Sequence, residues 1–166
     1  MQSRDDVADK PDSHRQSGAR VVEPYRPYPK AMRTFAVTLA WLIPGAGHLA
    51  LGRVKRGLLL LILIGGAFFF GIMLHGRLFS PFIADPVSAA ADPQAASHFD
   101  IISILWSFAQ VGTGLCYFVS HLVGIGTIPH PEAPTYEYGN TFTFLAGLLN
   151  YLVVVDVFDI ASGRKG

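Results

Sequence analysis

Long stretches without a charged side chain constrain this sequence more than any other feature. Four windows contain no Asp, Glu, Lys or Arg, and they cover residues 34–52, 57–76, 101–131 and 138–155. A helix that crosses a bilayer needs about 20 mostly apolar residues, because the hydrocarbon core is ~30 Å thick and a helix rises ~1.5 Å per residue. The two middle windows reach that length easily, and the outer two only just reach it. The sequence therefore predicts an all-α membrane protein, a small bundle of about four transmembrane helices.

The charged residues are concentrated ahead of these windows. Of the 166 residues, 51% are hydrophobic and only 15% are charged, which is too apolar for an ordinary soluble domain. Twelve of the 25 charged residues precede Phe35, in a segment that mixes both signs with Pro and Ser. Such a segment cannot bury enough apolar surface to fold. We therefore predict a disordered polar tail over residues 1–32 and a helical transmembrane domain over residues 33–166, with helices at about 34–52, 57–76, 101–127 and 141–160.

The distribution of Lys and Arg is compatible with two topologies. With four spans and a cytoplasmic N-terminus, ten of these cations lie inside and three outside, in line with the positive-inside rule. The outer three are then Arg53, Lys55 and Arg56. If the first window instead enters and returns at residues 44–47, the count is again ten to three, and the C-terminus moves outside. Non-helical backbone inside a bilayer is costly unless protein or water satisfies it, so we favour four spans with both termini cytoplasmic.

A break of Pro-Gly-Ala-Gly-His interrupts the first window, and a cationic turn follows it. Pro ends or kinks a helix, and Gly lets neighbouring helices approach closely. This pattern resembles the two-transmembrane-helix domain family over about residues 34–74, although the aromatic residue often found before the final Gly is absent. The segment 147–165 is similar to the tail of uncharacterised bacterial multi-span proteins. The resemblance implies a bacterial inner-membrane protein of an uncharacterised family, with a helical hairpin motif formed by Pro44, Gly45, Gly47, His48, Gly52 and Arg53.

Small residues recur every four positions in the third window. They are Gly112, Cys116, Ser120 and Gly124, which would form one stripe on a continuous helix. Small stripes let helix backbones approach each other in lipid. We expect this stripe to pack on another helix of the same chain, or else to join two copies of the chain or another membrane protein. The single Cys is interpreted as a packing residue.

A few polar side chains lie inside the apolar windows, where they are costly unless paired or hydrated. The candidates are His48, His121, Asn150 and Asp156, together with Gln110 and with Asp159 near the interface. In the simplest interpretation, His48 caps backbone carbonyls, Asn150 bonds across helices, and the two aspartates meet Arg164, Lys165 or the basic turn. In the alternative, His48, His121 and Asp156 line a polar path.

No sequence motif identifies a reaction. The chain has no HExxH, CxxC, Walker, Gly-x-Ser-x-Gly or GxGxxG pattern, so we predict no enzyme activity, no cofactor and no metal site. A net charge of +1 with interleaved signs argues against nucleic-acid binding. We expect a non-enzymatic structural or interaction component of the bacterial inner membrane, multi-pass with a cytoplasmic N-terminus, whose partners are the lipid bilayer and other membrane proteins or itself. The alternative is a small transporter or channel-like component.

Overall fold

A computed structural model describes residues 27–80 and 101–165. Most of the predicted polar tail, residues 1–26, and the connector over residues 81–100 lie outside the described residues. The described part of the chain is all-helical, as predicted, and contains no strand. Its six helices are α1 (Lys30–Leu42), α2 (Ala46–Ala50), α3 (Val54–Met73), α4 (Ile101–Val111), α5 (Leu115–Val123) and α6 (Tyr136–Ala161).

Only α3 and α6 are long and apolar enough to cross a membrane by themselves. They have 20 and 26 residues, and a third span results only if the bent pair α4 and α5 is counted as one. The described residues therefore hold two or three candidate spans, fewer than the predicted four. The predicted second and fourth helices correspond well to α3 and α6, whereas the first and third predicted helices are each broken in two.

The longest helix, α6, is the axis of the fold, and α3 runs antiparallel to it. Near the start of α6, a Cβ on Gly71 would lie 2.9 Å from the carbonyl oxygen of Gly139. Further along, Ile64 and Val153 belong to one buried cluster. The α3 start and the α6 end therefore lie together. Helices α1, α2 and α4 also contact α6. The other larger interfaces of the described chain join helices that follow each other in sequence, namely α1 with α2, α2 with α3 and α4 with α5.

The first window is a half-length hairpin rather than one spanning helix. Helix α1 ends at Leu42, because Pro44 lacks an N–H and Gly45 adopts a φ of 80° that favours glycine. The amide N of Tyr28 donates to the carbonyl of Ala161 (3.0 Å), and the Tyr28 hydroxyl donates to the carbonyl of Leu51 (3.4 Å). Both ends of the α1–α2 pair, which we name the first hairpin, therefore lie at the C-terminal end of α6. The prediction of a continuous helix over residues 34–52 is wrong.

The third window is also a hairpin. Helices α4 and α5 meet at an angle of 113°, and Gly114 at their junction has φ 58° and ψ −120°, a conformation that side chains disfavour. Helix α5 returns toward the end of α3, where the amide of Leu78 donates to the carbonyl of Gly126 (2.7 Å). We name α4 and α5 the second hairpin. The predicted continuous helix over residues 101–127 is wrong.

The predicted small-residue stripe is broken with that helix. Gly112 precedes the bend and faces α6, where an added Cβ would lie 2.5 Å from the Gly147 carbonyl oxygen. Cys116 and Ser120 follow the bend on α5 and are half-buried. Gly124 ends α5 with φ 79° and has no neighbouring atom within 4 Å of an added Cβ. The four residues therefore do not share one packing face.

Candidate functional site

The two hairpins meet at Asn150, near the middle of α6. This fully buried side chain donates from Nδ2 to the carbonyl oxygens of Ala40 (3.2 Å) and Trp41 (3.3 Å) in the last turn of α1. The same nitrogen donates to the carbonyl oxygen of Gly112 (2.7 Å), which directly follows α4. The last carbonyls of a helix have no partner within the helix, and they are costly when buried. Asn150 therefore supplies hydrogen-bond donors to the last carbonyls of α1 and to the carbonyl that follows α4. The prediction that Asn150 bonds across helices is confirmed.

The backbones at this meeting point are in close contact. A Cβ on Gly114 would collide with the carbonyl oxygen of Trp41 and would lie 2.7 Å from that of Leu42. A Cβ on Gly147, one turn before Asn150, would likewise collide with the carbonyl oxygen of Ala109. The second hairpin thus reaches both the tip of the first hairpin and the middle of α6. Protein atoms surround the non-helical backbone at both breaks, which removes the physical objection to hairpins that enter a membrane and return.

His48 and Asp156 form the second polar contact between the first hairpin and α6. The Nε2 atom of His48 lies 3.0 Å from Oδ2 of Asp156, and His48 is fully buried whereas the Asp156 side chain is 34% exposed. The Nζ of Lys165 donates to the other carboxylate oxygen (2.9 Å). His48 therefore binds a carboxylate rather than capping backbone carbonyls, and its buried Nδ1 has no hydrogen-bond partner among the described residues. The predicted contact between Asp156 and Lys165 is confirmed.

His121 and Asp159, two further candidate residues, make contacts of their own. The ring of His121, on α5, lies 5.9 Å from the ring of Tyr117 on the same helix. Asp159 binds Arg164 with a distance of 3.4 Å between Oδ1 and Nη1, as the simplest interpretation predicted. Asn150 and Asp156 therefore bond to the first hairpin, and Asp159 bonds to the chain end. His121 instead contacts Tyr117 on α5.

A further cluster of buried polar groups holds the segment that follows α3. Gln110 accepts from the amide of Phe79 (2.8 Å) and donates to the carbonyl of Arg77 and to Thr143. Asn140 accepts from the amide of Arg77 (2.7 Å). The sequence reasoning identified Gln110 but missed Asn140 and Thr143. Their spacing of three residues on α6, with Gly147 one turn further along, is the signal that could have indicated a polar packing face.

The Lys and Arg side chains of the described residues are distributed unequally between the two ends of α6. At its C-terminal end lie the start of α1, the turn between α2 and α3, and the residues after α6. Arg33 and Arg164 both approach the ring of Phe158, each with 5.6 Å from Cζ to the ring centre. We name this region the basic end, and it carries Lys30, Arg33, Arg53, Lys55, Arg56, Arg164 and Lys165. Arg77 is the one Lys or Arg of the described residues at the opposite end.

Lys165 and Glu132, which lie outside the helices of the fold, have shifted pKa values. The hydrogen bond that the Lys165 ammonium donates to the Asp156 carboxylate raises the pKa of Lys165 above its usual range. At the opposite end, a backbone hydrogen bond and the neighbouring His130 lower the pKa of the Glu132 carboxyl. Within the described residues, no group of three or more His, Cys, Asp or Glu side chains is arranged to hold a metal ion.

Comparison with known proteins adds one match. Residues 35–166 match the family described as "Family of unknown function (DUF6677)". The chain belongs to this family. The DUF6677 match covers all six helices except the start of α1, and it agrees with the expectation of an uncharacterised family, whereas the resemblance of residues 34–74 to the two-transmembrane-helix family stays a prediction. No curated protein and no solved structure matches the chain.

Proposed function

We propose that this chain is a non-enzymatic, multi-pass protein of the bacterial inner membrane, and that it works as a structural or interaction component. The lipid-facing surface supports the membrane position. Helix α3 leaves Leu59 and Ile62 about two-thirds exposed, at 63% and 65%, and Leu152 of α6 is 66% exposed. Such apolar faces on two long helices are costly in water and favourable in hydrocarbon.

The proposed topology has two spans, α3 and α6, with one hairpin entering from each side of the bilayer. Among the described residues, it places every Lys and Arg except Arg77 on the side of the basic end, because the others lie at residues 30 and 33, within residues 53–56, or at residues 164–165. The positive-inside rule then makes the basic end cytoplasmic. This asymmetry is stronger than the ten-to-three distribution of either topology drawn from the sequence alone, and it is the observation that carries the proposal.

The use of the buried polar groups supports a structural role. Asn150, Gln110 and Asn140 bond to backbone groups of neighbouring elements, so each of them holds the fold together. The exposed apolar surface remains for contact with lipid, with other membrane proteins or with a second copy of the chain. Leu122 of α5, which is 87% exposed, is the most exposed large apolar side chain of such a face.

A topology experiment tests the membrane arrangement. A reporter is inserted after Gly52, after His130, or after Gly166 in separate fusions. We expect the first and third fusions to report the cytoplasm and the second to report the opposite side. An external signal after Gly52 would favour four spans, and an external signal after Gly166 would overturn the two-span arrangement. For the interaction role, purification in mild detergent should yield a stable complex or oligomer, and a monomer without partners would count against it.

A second candidate function is the transport or conduction of protons or ions. The observation that favours it is the pair of half-length hairpins that meet at Asn150, with the part-buried contact between His48 and Asp156 six residues further along α6. Transporters build their sites from such interrupted helices near the centre of the bilayer. The test is proton flux into liposomes that contain the purified chain, with Asp156→Asn as the comparison. Flux equal to that of empty liposomes would exclude this function.

A further inference from the structure

A groove of about 280 Å³ lies between α3 and α6 on the surface of the fold. Its apolar lining comes from Leu60 and Leu63 with Ile64 on α3, and from Leu149 and Leu152 with Val153 on α6. On each helix these positions are three or four residues apart, so they form one continuous ridge. The groove is open along its length and ends at Asp156, beside the basic end.

The end of the groove carries uncompensated positive charge. Asp156 lies there with both carboxylate oxygens engaged, one by His48 and the other by Lys165. Arg56 lies one helical turn before Leu60, in line with the α3 ridge, and its charge acts on Lys165. Within the described part of the chain, no carboxylate pairs with Arg56. The mouth of an apolar groove therefore presents an exposed guanidinium without an anion.

We propose that the groove is a binding site for an anionic phospholipid, with one acyl chain against the two leucine ridges and the headgroup phosphate on Arg56. The chemistry of the two parts fits this occupant. Arg binds phosphate through its planar guanidinium, and basic pockets between membrane helices on the cytoplasmic side bind anionic headgroups. A partner helix would need both an apolar ridge and a carboxylate placed at Arg56, whereas an anionic phospholipid supplies both parts in one molecule. This inference rests on the membrane position given under the proposed function.

The experiment uses the full chain in nanodiscs that contain phosphatidylglycerol or phosphatidylcholine, with lipid retention measured by native mass spectrometry. We expect a preference for phosphatidylglycerol, and Arg56→Gln should lower its affinity at least about tenfold, the change expected for loss of one charge-assisted hydrogen bond to phosphate. The matched control is Lys55→Gln, which removes a neighbouring cation from a different face of α3. It should change the affinity less than twofold. Equal losses in the two variants would indicate diffuse attraction and overturn the site.

A photoactivatable group at the end of the phosphatidylglycerol acyl chain tests the groove itself. Labelling is expected at Leu60 and Leu152, and not at Leu122, which is more exposed but lies on the second hairpin. Equal labelling of all three would refute an acyl-chain site, as would full competition by inorganic phosphate. A chain that does not enter nanodiscs overturns the membrane position together with the site. A chain that enters in the expected topology but retains both lipids equally overturns the lipid site alone.

Discussion

Replacing Asn150 by Leu tests the central joint of the fold. Leu has a similar volume but no polar atoms, so it removes the buried Oδ1, which has no hydrogen-bond partner among the described residues, but it also leaves the buried carbonyls of Ala40, Trp41 and Gly112 without their donor. The two N–H protons of the amide serve three acceptors. Hydrogen bonds between membrane helices contribute ~0.6 kcal/mol on average and up to ~1.7 kcal/mol each, so two of them give ~1–3 kcal/mol. We expect Asn150→Leu to lower the free energy of unfolding by that amount.

The assay is unfolding by SDS titration in mixed micelles, followed by tryptophan fluorescence. The chain contains two Trp residues, and both report on the region: Trp41 is at the tip of the first hairpin, and the Trp106 ring lies 4.6 Å from that of Phe144. The control is Thr141→Val, which removes an exposed bond within α6 and should change the free energy of unfolding by less than about 0.5 kcal/mol. A change as small as this in Asn150→Leu would refute the role of Asn150 as the joint.

A second measurement locates the effect. Cys116 is the only cysteine of the sequence and lies half-buried just beyond the bend of the second hairpin. If Asn150 holds the two hairpin tips together, Asn150→Leu should accelerate alkylation of Cys116 by a membrane-permeant maleimide more than Thr141→Val does. Equal rates together with a lower unfolding free energy would place the loss elsewhere in the fold.

Three further predictions follow from the same geometry. Gly114→Ala should lower the free energy of unfolding by ~2–4 kcal/mol, because φ is positive and the new Cβ meets backbone, whereas Gly65→Ala, with open space around it, should raise it by ~0.5–1 kcal/mol in the same SDS titration. The free energy of unfolding of His48→Leu should stay within ~1 kcal/mol of the wild-type value, because the substitution removes the unpartnered Nδ1 together with the bond to Asp156, and the Asp156 carboxylate keeps its bond to Lys165. A larger loss would refute this. Asp156→Asn should lower the pKa of Lys165, because the Asp156 carboxylate raises that pKa in the wild-type chain. The pKa is measured from the pH dependence of amine labelling. The stability that this bond contributes is present below the usual lysine pKa and disappears as the pH rises through the raised pKa of Lys165.

The sequence was a good guide to the two complete spans and a poor guide to the two half-length hairpins. Helices predicted at 57–76 and 141–160 appear as α3 and α6. A hydropathy window of about 20 residues does not distinguish one spanning helix from two short helices that turn back, since both are apolar throughout. The first break was visible in Pro44 and Gly45. The second, at Gly114, is a glycine within a long apolar run, and only its backbone conformation reveals the turn.

The candidate site was predicted only in part. Asn150 and the pair Asp156 and Lys165 were identified correctly because each polar group in an apolar helix needs a partner. The partner of His48 was missed. Asn150 and Asp156 lie on different sides of α6, six residues apart, and their spacing did not indicate that both would contact the first hairpin. Both reach it because that hairpin has two short helices, α1 beside Asn150 and α2 beside Asp156.

The position of Asn150 has a consequence for biosynthesis. During translation the first hairpin emerges about a hundred residues before α6, and Asn150 donates to Ala40 across 110 positions of the chain. Each helix of the two hairpins is shorter than the bilayer is thick, so neither hairpin has a stable place in lipid before its terminal carbonyls find a donor. On the proposed membrane position, the first hairpin therefore reaches its final place only after α6 has been made, because α6 carries the Asn150 donor.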